Sequence, residues 1–230
     1  MNFIFAGINI EYAPVEVLEG VTVPSHDLEK HLQRLATHAG GGVILSTCNR
    51  MEIYSVTEDV AIGINQLKEY IETTSKSSRV TNIDQYIYTL SGDAVAEHLF
   101  SVAAGLDSIA LGESEIIGQV TKALQAAGEA GTIDPSLSRM FHAALRTSRR
   151  IRKETGLGRN RISISSLGVK ELQNIVGNLS GLHVLLVGAG ETGRLTVNAL
   201  RRYGADEIVV SSRSFERGSV LAEELGSSQV

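Results

Sequence analysis

The chain has 230 residues, 20% of them charged and 43% hydrophobic, with a formal net charge of -5. These figures describe an ordinary globular protein of one or two domains and argue against a polycation built as a whole for nucleic acid. No apolar run approaches the ~20 residues that span a bilayer, and a single cysteine excludes an internal disulfide and fits a reducing, cytoplasmic setting.

The opening MNFIFAGINIEY has neither a basic leader nor a small-residue cleavage site, so 3–10 reads as a first strand rather than a signal peptide. Ser25 reads as the N-cap of a helix that carries Leu28, Leu32 and Leu35 on one face. Gly40-Gly41-Gly42 interrupts that helix. VILS (43–46) and MEIYSV (51–56) are short strands rich in β-branched and aromatic residues, with Thr47-Cys48-Asn49-Arg50 between them. A helix from about Ile62 to Thr73, a polar loop and a strand at QYIYTL (85–90) come next. Helical patterns then occupy 93–104 and 113–129. A third opens on Asp134 as N-cap and Pro135 as first helical residue. Leu137, Met140, Phe141, Ala144, Leu145, Ser148 and Ile151 form its apolar stripe, while Arg139, Arg146, Arg149, Arg150, Arg152 and Lys153 make its other face basic. The aperiodic TGLGRNRISIS (155–165) marks a domain boundary.

Residues 182–214 read as strand, glycine-rich turn, helix, strand. VLLV is a continuous apolar run, as in a parallel strand covered on both faces. Gly188-Ala189-Gly190-Glu191-Thr192-Gly193 lies between strand and helix, the context that turns a weak glycine spacing into a dinucleotide-binding loop. There the backbone approaches the pyrophosphate closely and the helix N-terminus supplies N–H groups and a positive dipole end. The second strand ends in Ser212-Arg213-Ser214, where an NAD site usually carries a carboxylate. Arg213 can pair with a 2′-phosphate and the serines can donate to it, which favours NADPH. The plainer readings are a ligand-free turn and a solvated arginine.

Cys48 lies just past a strand end, with Arg50 two residues on and on the same side if the backbone stays extended. A guanidinium there would favour thiolate over thiol. The residues alone leave a nucleophile and a buried structural thiol equally open. The histidines show no metal-ligand spacing, and no metal is expected.

Two longer segments add a resemblance. LSTCNRMEIY (45–54) resembles the active-site segment of glutamyl-tRNA reductases, and HLFSVAAGLDSIALGESEIIGQV (98–120) resembles a second signature of that family. RIRKET (150–155) and LLVGAGETG (185–193) occur in the family's order and at its spacing. The resemblance covers essentially the whole chain. It implies that Cys48 attacks the ester carbonyl of glutamyl-tRNA and that NADPH reduces the thioester to glutamate-1-semialdehyde, a step feeding tetrapyrrole synthesis. It further implies a glutamate pocket lined by Thr47, Asn49, Arg50, Ser108, Glu113, Ser114, Glu115 and Gln119, and an activity-bearing histidine at His98. Arg50 is the expected clamp on the substrate's free carboxylate. Glu115 and Gln119, four apart on a helix, share a face. His98 would move a proton for Cys48 or for the leaving ribose oxygen, against the bland reading of a helix histidine satisfied by solvent or a carbonyl. The resemblance also suggests an aminomutase partner, and a homodimer in the full-length family.

The chain departs from the family pattern in places. Gly7-Ile8-Asn9 is followed by Ile10 where the family usually has His, and Glu113-Ser114-Glu115 stands where it usually has Glu, variable, Gln. The chain also stops at Val230, so a truncated second domain and an absent helical dimerisation domain are expected. The fold expectation is an α+β catalytic, glutamyl-tRNA-binding domain over 1–155, a small mixed sheet with helices. An incomplete Rossmann-type NADPH-binding domain would follow over 156–230. Two rival readings stand beside this one: an NADPH oxidoreductase of the shikimate-dehydrogenase type, which leaves Cys48-Asn49-Arg50 without a role, and a non-catalytic relative that binds glutamyl-tRNA or a partner. Part of the basic face at 139–153, with Arg159 and Arg161, is a candidate tRNA contact.

Overall fold

A computed structural model describes residues 1–75, 82–108, 110–113, 115–155, 157, 164–224 and 228–229. The chain forms two units, one made of 1–107 with 115–156 and the other of 108–114 with 157–230.

The first unit is built on a four-stranded sheet in the order β2-β3-β1-β4, with β1 Asn2–Asn9, β2 Val43–Ser46, β3 Arg50–Thr57 and β4 Tyr88–Ser91. Every pairing in it is antiparallel. The expected α+β class holds, but the sheet is not mixed. β2 and β3 are joined directly by a hairpin, which only antiparallel strands allow, whereas a parallel pair needs a long crossover. Strand residues alternate between faces, and helices cover both. On one face Ile4 meets Gly63 of α3 (Val60–Thr74), packed so closely that a methyl on Gly63 would strike the Ile4 side chain. On the other, Phe5 and Tyr54 meet His98 of α4 (Asp93–Ala104) and Phe141 of α6 (Pro135–Thr155), with ring centroids 4.7–6.3 Å apart. Ile4, Phe5, Met51, Ile53 and Tyr54 are accordingly fully buried.

Several local expectations shift. Asp27, not Ser25, precedes α2 (Leu28–Ala39), and it makes no side-chain cap bond. A helix α1 (Val15–Val21) forms where the sequence pattern shows none; its β-branched residues are mediocre helix formers, and burial of Val17, Leu18 and Val21 decides the matter. The strand expected at 85–90 is shorter, because Ile83–Tyr86 make a single 3-10 turn closed by Ile87 N–H donating to the Asp84 carbonyl. Helix α5 (Glu115–Glu129) starts after Glu113. Asp134 does cap α6, its Oδ1 accepting from Ser136 N–H at 2.6 Å. Gly42 (φ +150°) is required at the foot of β2, since a methyl there would collide with the Tyr54 carbonyl oxygen.

The second unit carries α7 (Ile164–Val176), β5 (His183–Val187), α8 (Glu191–Arg202), β6 (Glu207–Ser211), α9 (Phe215–Glu224) and β7 (Ser228–Gln229). Its strands are parallel in the order β5-β6-β7. Val184 and Leu186 join Val169, Val197, Leu200, Ile208 and Val210 in the core. Leu185 and Val187 point the other way and are 62% and 78% exposed. β5 is therefore covered on one face among the described residues, not on both as VLLV suggested.

Candidate functional site

The β2–β3 hairpin places Cys48 at its tip. Ser46 pairs with Met51, and Thr47 N–H donates to the Arg50 carbonyl at 2.8 Å, leaving Cys48 and Asn49 as the two loop residues. Two-residue hairpin loops commonly need positive φ, hence Asn-Gly pairs; here neither residue adopts it. The Thr47 hydroxyl takes over instead, its Oγ1 accepting from Asn49 N–H at 3.1 Å and Arg50 N–H at 3.2 Å. Ile10 N–H donates to the Asn49 carbonyl at 2.9 Å and pins the loop to the end of β1. Cys48 is exposed on this rigid tip. The extended path that would have set Cys48 and Arg50 side by side does not occur, because the chain reverses between them.

Arg50 turns inward. It is 5% exposed, and its Nη1 donates to Glu52 Oε1 at 2.8 Å and to Asp107 Oδ2 at 2.9 Å, while Nη2 donates to the Asp107 carbonyl. Glu52, two residues along the same strand face, is fully buried and is the hub of the cluster. Its Oε1 also accepts from Tyr88 OH at 3.0 Å and from His98 Nε2 at 3.1 Å, and its Oε2 from Tyr54 OH at 2.7 Å. Three donors thus converge on Oε1 and one on Oε2, so the buried carboxylate is met by four donors, from its own strand β3, from β4 and from α4. Burial alone would push the Glu52 pKa up; the Arg50 charge and the hydrogen bonds from His98 and Tyr54 outweigh it and bring it down to about 2. Burial likewise opposes the Arg50 charge, yet Glu52 and Asp107 raise its pKa. Burial and the Glu52 charge together push the Tyr54 and Tyr88 phenols up. An ionised carboxylate only accepts, so the His98 nitrogen facing it, Nε2, carries the proton. His98 is thus held by a carboxylate and by the rings of Phe5 and Tyr88, at 4.7 and 5.8 Å, rather than by solvent or a backbone carbonyl.

Sequence reasoning missed Glu52, Tyr54, Tyr88 and Asp107. One trace was visible: Arg50, Glu52 and Tyr54 alternate along β3, a polar file on one face of a strand otherwise made for burial. Of the other expected pocket residues, Glu115 is exposed at the start of α5 and Gln119 is half-buried one turn on. Ser108 and Glu113 are half-buried and fall in the second unit. Ser114, Arg159 and Arg161 lie outside the described residues, as does the side chain of Glu191.

In the second unit a cleft of about 690 Å³ opens at the C-terminal ends of β5 and β6. Val187, Gly188, Ala189, Gly190, Ser211, Ser212, Arg213, Ser214 and Arg217 line it. Gly188 and Gly190 face open space, so a ligand can reach their backbone, and Gly190 ends in the N-terminus of α8 with no side chain capping it. Gly193 has a different job: a methyl there would strike the Gly188 carbonyl oxygen, so glycine lets α8 pack against the end of β5. Thr192 spends its carbonyl on Thr196 Oγ1 at 2.8 Å and does not line the cleft. Arg217, four residues after Arg213 and on α9, is a lining residue that the sequence pattern did not single out. Among the described residues that line it there is no carboxylate. These features fit a dinucleotide: glycine backbone and helix N-terminus for the pyrophosphate, two guanidiniums for an additional phosphate. Among the described residues no group of histidine, cysteine or carboxylates is placed to hold a metal, and no helix is long and apolar enough to cross a membrane.

Residues 6–155 match the family model of the glutamyl-tRNA(Glu) reductase N-terminal domain, and residues 170–230 that of shikimate/quinate 5-dehydrogenase. Glutamyl-tRNA reductases of Desulfatibacillum aliphaticivorans and Pelotomaculum thermopropionicum are 36% and 38% identical, each over 97% of this chain and over 52% and 51% of their own lengths. The solved glutamyl-tRNA reductase from Methanopyrus kandleri superposes with a TM-score of 0.64 at 31% identity, over 99% of this chain and 53% of that one. The chain spans about half the length of the curated relatives it matches. With residues 6–155 matched as one N-terminal domain and its second unit resembling a dehydrogenase nucleotide domain, the chain belongs to the glutamyl-tRNA reductase family.

Proposed function

We propose that the protein acts on glutamyl-tRNA, taking the glutamyl group onto Cys48 as a thioester that is reduced with NADPH to glutamate-1-semialdehyde, a precursor of tetrapyrroles. The observation that carries this reading is the exposed Cys48 on a hairpin tip fixed by Thr47 and Asn49, in a chain of this family. The Cys48 thiolate adds to the ester carbonyl. The tetrahedral adduct collapses, the carbon–oxygen bond to the tRNA ribose breaks, and the leaving oxygen takes a proton. His98 is the proposed proton carrier, and Glu52 its positioning residue, fixing the imidazole so that Nδ1 is the nitrogen left to work. Sulfur donates less into the carbonyl than oxygen does, so the thioester is the better hydride acceptor. Arg50 has Nε and one Nη2 hydrogen left to offer the substrate's free carboxylate. Thr47, Asn49, Ser108, Glu113, Ser114, Glu115 and Gln119 complete the proposed substrate-binding set.

NADPH, when bound, supplies the hydride. Gly188, Ala189 and Gly190 with the α8 N-terminus would hold its pyrophosphate, and Ser212, Arg213, Ser214 and Arg217 its 2′-phosphate. The domain assignment that goes with this is a catalytic, tRNA-binding domain over 1–155 and a nucleotide domain over 156–230. In the family setting the protein would work as a cytoplasmic homodimer that hands its aldehyde to an aminomutase.

The test is to mix the chain with radiolabelled glutamyl-tRNA, with and without NADPH, and resolve it on a non-reducing gel. Label should stay on the protein without NADPH, leave with it, and be absent from Cys48→Ser. Binding without covalent label would make the chain a non-catalytic tRNA binder. No interaction with tRNA would leave only a dehydrogenase of another substrate.

A further inference from the structure

Helix α6 has a face that the chemistry above does not use. Between Pro135 and Lys153 there is no Asp or Glu, while six of the chain's 21 Lys and Arg fall there. This is a local excess of positive charge in a chain that is acidic overall. The apolar stripe of α6 is consumed by the core, with Leu137, Phe141, Ala144 and Leu145 buried. Arg139, His142, Arg146, Arg149 and Lys153 recur every three or four residues on the opposite side, and Arg146, Arg149 and Lys153 are exposed. Among the described residues no carboxylate lies within 4 Å of Arg139, Arg146, Arg149 or Lys153, while Arg150 pairs with Glu154 at 3.6 Å. A rise of 1.5 Å per residue spreads Arg139 to Lys153 over ~21 Å.

We propose that this stripe is the surface that binds the phosphate backbone of the substrate RNA; the inference rests on the reading that the substrate is a glutamyl-tRNA. Cations spaced ~5 Å apart in a straight row match a polyanion whose charges recur every few ångströms along a strand. Arginine predominates, and its planar fork suits phosphate oxygens better than an ammonium does. An anionic membrane is the poorer partner. A helix that lies on lipid presents an apolar face to it, and the apolar face of α6 is already buried in protein. The contacts would be sequence-independent, positioning the RNA and leaving recognition of the acylated end to the residues around Cys48.

The experiment compares the wild-type chain with the triple variant Arg146→Gln/Arg149→Gln/Lys153→Gln in filter binding to the tRNA, from 50 to 300 mM salt. Iodoacetamide alkylation of Cys48 and the thermal unfolding midpoint are measured alongside. Losing three phosphate contacts should weaken binding on the order of 10- to 100-fold near 0.1 M salt and flatten the log Kd against log salt slope by ~2–3. Alkylation rate and unfolding midpoint should stay as in the wild type. A matched triple variant on other helices, Lys30→Gln/Arg34→Gln/Lys68→Gln, should leave the slope unchanged. If the wild type binds tRNA and the α6 variant binds it equally with the same slope, the stripe is not the interface, while the proposed function stands. If the wild type does not bind tRNA at all, both fall. If the α6 variant keeps tRNA but loses binding to phosphatidylserine vesicles, the stripe serves a membrane and the proposal is overturned.

Discussion

Glu52→Gln is the substitution that probes the buried cluster most sharply. Wild-type Glu52 is fully buried and accepts from Arg50, Tyr88, His98 and Tyr54. Glutamine keeps the shape but replaces one oxygen with an amide donor, which must face one of four donors, and it removes the charge opposite Arg50. Breaking one side of a buried ion pair typically costs about 3–5 kcal/mol. For a unit of this size that is a fall in unfolding midpoint of roughly 6–20 °C. The assay is thermal and urea unfolding followed by tyrosine fluorescence, since the chain has no tryptophan. The pH dependence gives a second handle. The Glu52 pKa falls from 4.5 to about 2 on folding. Its contribution is therefore fully present above pH 4.5 and lost as the pH drops toward 2. The gap between wild type and Glu52→Gln should be constant from pH 8 to 5 and narrow below pH 4. A variant within about 1 kcal/mol of wild type at pH 7, or a gap unchanged at pH 3, would refute the role assigned to Glu52.

Three further outcomes come from the geometry. Thr47→Val removes the acceptor for the Asn49 and Arg50 N–H groups and should slow glutamyl transfer to Cys48 by about 10- to 100-fold, with much less effect on unfolding, read by quench-flow with labelled glutamyl-tRNA. Arg213→Ala and Arg217→Ala should each weaken NADPH by on the order of 10-fold or more and leave NADH nearly unchanged, as measured by fluorescence titration. Gly42→Ala puts a side chain at φ +150° against the Tyr54 carbonyl and should cost about 1–3 kcal/mol in urea unfolding.

What could be read from the sequence tracked local periodicity. The strand pair around Thr47–Arg50, the capped amphipathic helix beginning at Pro135 and the strand–glycine–helix unit at 183–202 all announce themselves within a dozen residues. The Glu52 cluster does not. Its members come from β3, β4, α4 and the segment ending at Asp107, up to 57 residues apart in the chain, and a lone glutamate in a strand reads as solvent-facing until its partners are known. Helix α1 was hidden because tertiary burial overrides its weak propensity. The exposed Leu185 and Val187 were misread for a different reason: a continuous apolar run gives hydrophobicity without saying which faces have partners. Arg217 sat in view four residues after Arg213, yet only the start of α9 turns it into the same cleft.

The most direct measurement is the intact mass of the chain after incubation with glutamyl-tRNA in the absence of NADPH, with peptide mapping of the product. One glutamyl group should be found, on the peptide that contains Cys48, and it should disappear when NADPH or hydroxylamine is added. A chain that stays unmodified, or one in which Cys48→Ser carries the same adduct, would contradict the assignment of Cys48 as the nucleophile.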